Sequence, residues 1–133
     1  MSKDPQEYLP YINLEEGLGR IRNNKKLYAK MLNSFMSNTA FEDLRSALAK
    51  ADLPNIQYHA HTLKGVAANL SFKLLYNSAA EFELSVKELN QSGQTGELPA
   101  KLESKFSELE LIYQKTIELI KALKAEYEAG EGL

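Results

Sequence analysis

Between residues 13 and 128, apolar side chains recur three and four positions apart, and nowhere do they alternate one by one. That spacing gathers them on one face of a helix, whereas a strand would need a period of two. A chain patterned in this way folds only by burying helical stripes against one another. The four prolines, at 5, 10, 54 and 99, leave the main stripes uninterrupted.

The punctuation divides the chain. Residues 1–12 read as an extended lead-in. Asn13 and Glu16 have the spacing of a capping box, so a short helix is predicted from there to about Arg22. Asn23-Asn24 breaks the pattern and caps the next segment. Leu27, Tyr28, Met31, Leu32 and Phe35 then form a stripe that Phe41, Leu44 and Leu48 continue. One long helix is predicted over 25–50, kinked or broken near Asn38, where Thr39 and Glu42 suggest a second capping box. Asp52-Leu53-Pro54 opens a helix over about 54–70, with proline where a first turn tolerates it. Ser71 is placed to cap a helix over 72–90 with the stripe Phe72, Leu75, Ala79, Phe82, Val86 and Leu89. Gln91 to Gly96 reads as a loop. The last helix, about 98–128, carries Leu102, Phe106, Leu109, Tyr113, Ile117, Ile120 and Tyr127, and residues 129–133 are expected to fray. The fold class is therefore all-α: an antiparallel up-down four-helix bundle with a short additional N-terminal helix. The 133 residues suit one domain.

Composition removes most functions. The formal net charge of -2 lacks the basic excess of a nucleic-acid binder. No apolar run approaches the roughly 20 residues that span a bilayer, and the N-terminus has no signal-peptide pattern. A cytoplasmic address is the default. There is no cysteine, only two histidines, and the seven glycines form no phosphate-binding loop. No metal site and no cofactor are expected. Any chemistry must need very few residues.

The helix over 54–70 holds both histidines. At about 100° per residue, Ile56, Ala60, Leu63, Val66, Ala67 and Leu70 share the core arc. His59 falls at its edge and reads as structural. His61 lies about 140° from Ile56, facing outward. Its neighbours one and two turns away are Gln57, Lys64, Gly65 and Ala68. The two histidines are a poor metal pair, because side chains two apart diverge on a helix. An outward glycine in mid-helix costs about 1 kcal/mol relative to alanine, and close approach of another molecule is a reason for it. Ala68, one turn on, keeps the same approach open. A neutral imidazole is a competent nucleophile toward phosphorus, and Lys64 would attract the incoming group. Phosphoryl transfer needs positioning and charge stabilisation more than covalent help. One nucleophile, one cation and a clear approach suffice if a partner brings the metal and the acceptor carboxylate.

His61-Thr62-Leu63-Lys64-Gly65 resembles the H-x-L-K-G core of histidine phosphotransfer (HPt) domains. Upstream, Ile12 to Leu18 and the stripe from Leu27 to Phe35 are similar to the lead-in of stand-alone or C-terminal members. Downstream, Ala67 to Leu70 and Ala79 to Glu83 are similar to the family's second hairpin helix. The likeness runs from about residue 10 to 90, and the final helix agrees in kind. It implies that His61 is the phosphorylated residue, through Nε2, that Lys64 lies near the phosphoryl oxygens, and that Gly65 leaves room for a receiver domain. It also implies a Gln or Glu on the next helix that orients the histidine. Glu83 sits at about that place, with a solvated glutamate as the competing reading, and Gln57 is a second candidate at the rim. The family's usual glycine beyond the motif is replaced by Ser71 and followed by bulky Phe72, which puts the turn geometry in question.

The resemblance implies a phosphoryl carrier rather than an enzyme. It would be a monomer relaying phosphoryl groups between receiver-domain aspartates in a two-component phosphorelay. Its partners would be response-regulator receiver domains and a hybrid histidine kinase, with no nucleic acid and no membrane. Mg2+ is expected on the receiver. Two rivals stand beside this reading: a helical adaptor that binds a receiver without phosphotransfer, and the phosphoacceptor domain of a chemotaxis-type kinase. Met1 and the fraying tail favour a complete small protein over that last rival.

Overall fold

Asn13, Asn24 and Asp52 each direct a side-chain oxygen to the backbone N–H three residues on, at Glu16, Leu27 and Asn55. Each satisfies a donor that a helix start leaves unpaired, and each opens a helix. The structure, a computed structural model, describes residues 5–93 and 97–128. Among these it contains α1 (Leu14–Gly19), α2 (Lys25–Ser37), α3 (Ala40–Ala49), α4 (Leu53–Asn69), α5 (Lys73–Gln91) and α6 (Ala100–Glu128). The described residues contain no strand. The expected fray at 129–133, the first four residues of the lead-in and residues 94–96 of the loop lie outside the described residues.

Several expectations need correction. The lead-in is not extended: Pro5–Tyr8 is a 3-10 turn. Tyr8 and Ile12 are fully buried, so this segment belongs to the core. The break expected near Asn38 is there: 25–50 forms two helices, parted at Asn38, whose backbone is extended. Thr39 makes no capping bond. Its hydroxyl donates to Asp43, and the Asn38 side chain accepts from the Ala40 N–H instead. Leu27 is exposed and lies outside the stripe of Tyr28, Leu32 and Phe35.

Ser71 does not cap α5 either. It sits just past α4 with φ +60°, in the left-handed region. There its N–H bonds the Ala68 carbonyl, and the Phe72 N–H bonds the Ala67 carbonyl. This is a Schellman ending, which normally takes glycine. The same ending closes α3, with Ala51 at φ +53°. A non-glycine residue costs roughly 1 kcal/mol in this conformation.

The N-terminal segment offsets that cost at Ser71. Asn13 N–H donates to the Ser71 carbonyl, and the Ser71 hydroxyl donates to Glu16. Tyr28 Oη donates to the Leu70 carbonyl, and Arg20 donates to the Ala68 carbonyl. Glu16 therefore does not reach back to Asn13 as a full capping box would; its carboxylate serves Ser71, Lys73 and Arg20. Gly17 is needed where α1 meets α2, because a Cβ there would lie 3.1 Å from the Tyr28 ring.

The long helices lie closest along four seams, α3 on α4, α4 on α5, α5 on α6, and α2 on α6, and a fifth, wider seam between α3 and α6 is bridged by long side chains. Aromatic rings fill the interior. Phe41 stacks on Tyr113 with centroids 4.0 Å apart and on Phe106 at 5.5 Å, while Phe35 meets Phe72 edge-on at 5.0 Å. On the α3–α6 seam, Arg45 bonds Glu110 and lies over the Phe41 and Phe106 rings. α4 and α5, the most closely packed pair, bury the small residues Ala60, Ala67 and Ala79 fully, beside Leu63 and Phe82.

Candidate functional site

His61 lies in the middle of α4, where the capped start and the buried arc Ile56, Ala60, Leu63 and Ala67 fix the rotation of the helix. Its side chain is 67% exposed. Opposite it, α5 turns Leu75, Ala79, Phe82 and Val86 into the core, and the same rotation carries Glu83 inward beneath His61. Glu83 is buried, with its side chain 4% exposed, so the solvated reading does not hold.

The carboxylate is fully engaged. Glu83 Oε2 lies 2.8 Å from His61 Nδ1, and Oε1 lies 2.6 Å from Lys64 Nζ. Lys87 Nζ, one turn along α5, lies 3.8 Å from Oε2. Burial pushes the Glu83 carboxyl up. The hydrogen bonds and charges of Lys64 and His61 outweigh it and hold the group below its ordinary value. An ionised carboxylate only accepts, so Nδ1 must donate to it. The lone pair of a neutral ring is then on Nε2, on the solvent side.

The remaining residues singled out in the sequence divide into two sets. Lys64 and Glu83 touch each other, and Glu83 touches His61. Gly65 and Ala68 make no such contact. Gly65 is exposed, and a Cβ there would meet nothing within 4 Å. Nothing inside the chain requires glycine at this point. Ala68 is half-buried, with its carbonyl held by Arg20. Gln57 accepts from Asn90 Nδ2 at 2.6 Å, and the same group donates to the Leu53 carbonyl, so Gln57 pins the start of α4 to the end of α5. His59 is half-buried at the edge of the core, its ring edge-on to Tyr58.

Lys87 was missed. Its signal was present, because it lies one turn beyond Glu83 and therefore on the same side of α5. Asn90 was missed too, and no spacing rule singles it out.

Among the described residues, no group of three or more His, Cys, Asp or Glu could hold a metal ion. No described helix is long and apolar enough to cross a membrane.

An outward imidazole with its inner nitrogen on a buried carboxylate is suited to accept a group at the outer nitrogen. The wider comparison agrees in kind. The sequence matches the Hpt domain over residues 32–129, which takes in α3 to α6 and omits the N-terminal segment as far as the middle of α2. No curated protein and no solved structure matches the chain. Hpt domains are phosphocarrier modules that serve histidine phosphotransfer in two-component signalling, typically with receiver domains and kinases as partners. The match covers well over half of the chain, and the chain belongs to the Hpt domain family.

Proposed function

We propose that this chain relays a phosphoryl group between receiver-domain aspartates by way of a phosphohistidine at His61. The observation that carries the reading is the 2.8 Å contact of His61 Nδ1 with the buried carboxylate of Glu83, on a ring that is otherwise largely exposed.

The step balances without a proton leaving the site. The Nε2 lone pair attacks phosphorus of an aspartyl phosphate. The N–P bond forms, the P–O bond breaks, and its electron pair stays on the departing aspartate carboxylate. The ring becomes cationic with its proton still on Nδ1, and the Glu83 carboxylate stabilises that charge. Attack by an aspartate of a second receiver reverses the sequence. Lys64 adds positive charge one turn from His61 and holds Glu83 in place. Mg2+, bound by the receiver and not by this chain, would offset charge on the phosphoryl oxygens from that side.

Gly65 and Ala68 keep the outward face open where the receiver approaches, with Gln57 at the rim. The glycine supports this reading because it weakens the helix and nothing within 4 Å of it demands the absence of a Cβ. The chain acts as one domain over 1–133, a cytoplasmic monomer without a nucleotide site or turnover of its own. Its long helices are read as an antiparallel up-down bundle of four, with α2 and α3 as one broken member. The circuit of seams and the short connections support that arrangement.

The test is phosphotransfer from a phosphorylated receiver domain, read by intact mass and acid lability, on wild type, His61→Gln and His59→Gln. Wild type and His59→Gln are expected to gain one acid-labile phosphoryl group, and His61→Gln none. A folded wild type that binds receivers but gains no phosphoryl group from any of several would sink the carrier reading and leave an adaptor.

A further inference from the structure

Three nitrogens converge on the Glu83 carboxylate, and they are not equally committed. Lys64 Nζ is 2.6 Å from Oε1 with a side chain only 25% exposed. His61 Nδ1 is 2.8 Å from Oε2. Lys87 Nζ is 3.8 Å from that same oxygen with a side chain 45% exposed. The first two are hydrogen bonds in length, and the third is not.

The difference bears on which lysine meets a phosphoryl group. Lys64 is the partner that offsets most of the cost of burying Glu83. Drawing it away would leave a carboxylate out of water with fewer donors, which is expensive. Lys87 stands at the edge of the same carboxylate, in contact with water, on a flexible four-carbon stem. Its position along the groove is fixed by two cross-links between α4 and α5. One joins Gln57 to Asn90 and the other joins His61 to Glu83. Lys87 rises between them, so the two lysines flank the imidazole from opposite ends. With a neutral imidazole, one carboxylate facing two lysines leaves one positive charge in surplus. The loosely held lysine is the one free to follow an incoming anion.

We propose that Lys87 is the phosphoryl-facing cation of this site, moving from the edge of Glu83 to the oxygens of a phosphoryl group on His61 while Lys64 stays on Glu83. Lys64 is then a positioning residue that acts through the carboxylate. The assignment rests on His61 being the phosphoacceptor.

The experiment is single-turnover transfer from a phosphorylated receiver domain to the full chain across a range of ionic strength, for wild type, Lys87→Gln, Lys87→Arg and Lys64→Gln. Nitrogen chemical shifts of the His61 ring are recorded alongside. At saturating receiver, Lys87→Gln is expected to slow transfer about tenfold, equal to about 1.4 kcal/mol of barrier. It should also flatten the salt dependence and shorten the life of the phosphohistidine. Lys87→Arg should stay within about threefold of wild type, since it keeps the charge. The ring shifts should be unchanged in Lys87→Gln and moved in Lys64→Gln. Transfer by Lys87→Gln at the wild-type rate with unchanged salt dependence would overturn the assignment. So would ring shifts disturbed as much as in Lys64→Gln. A wild type that takes up no phosphoryl group overturns the carrier reading itself, and that is seen before any variant is compared.

Discussion

The α3–α6 seam and the α4–α5 seam each tie two helices together with a charged pair, and they are built for different ends. On α3–α6, Arg45 bonds Glu110 and Glu42 and lies over the Phe41 and Phe106 rings. The arginine is held by two carboxylates, the Phe41 and Phe106 rings beneath it are stacked, and no histidine is near. On α4–α5 the carboxylate is buried and the imidazole that it holds is largely exposed. A structural ion pair can be saturated. A transfer site must leave one valence open, and in the proposed function that valence is the ring nitrogen of His61 that Glu83 does not hold.

Truncating the aromatic stack separates the two seams most sharply. Phe41→Ala removes a fully buried ring and should cost roughly 3–5 kcal/mol, measured by urea denaturation, while the folded fraction still transfers phosphoryl at the wild-type rate. Slowed transfer in the folded fraction would mean that the seams are coupled.

Glu83→Gln should do the reverse. The amide keeps the shape but loses the charge that orients the imidazole and offsets its cationic form. Transfer should fall roughly 100-fold, the scale of losing one preorganised electrostatic partner, while thermal stability falls only modestly because Lys64 can reach water. A near-normal rate would show that shape alone positions the ring.

Gly65→Ala should stabilise the chain by about 1 kcal/mol, since the added methyl meets nothing within 4 Å. It should also weaken receiver docking, read by titration against a receiver domain. Unaltered docking would remove the case for close approach at that point.

The smallest effect is on pH dependence. Glu83 titrates below its ordinary value of 4.5 in the folded chain. Its pairing therefore stabilises the fold fully above the unfolded value and is lost as pH falls through the folded one. The stability gap between wild type and Glu83→Gln should be constant at neutral pH and close on acidification. A gap that persists unchanged down to the lowest pH at which the chain stays folded would assign the effect to packing.

Much of this was legible in the sequence because it is local. The 3.6-residue period set the helices, Asn13, Asn24 and Asp52 set three of their starts, and the rotation of α4 turned His61 outward and His59 to the core edge. The misreadings arose where local rules competed with distant partners. Thr39 and Ser71 fit a capping pattern. Yet the Thr39 hydroxyl is turned to Asp43, and Ser71 is drawn into a left-handed turn by Asn13 and Glu16, more than fifty residues away. The lead-in looked extended because Tyr8 and Ile12 show no period of their own.

The sequence by itself determined the helical class, the outward histidine and its Lys-Gly neighbours, because helix geometry is fixed by spacing along one segment. Only the tertiary structure decided that Glu83 is buried and that it grips both His61 and Lys64. Those facts depend on the register of α5 against α4, which packing across the seam sets and no spacing within either helix encodes.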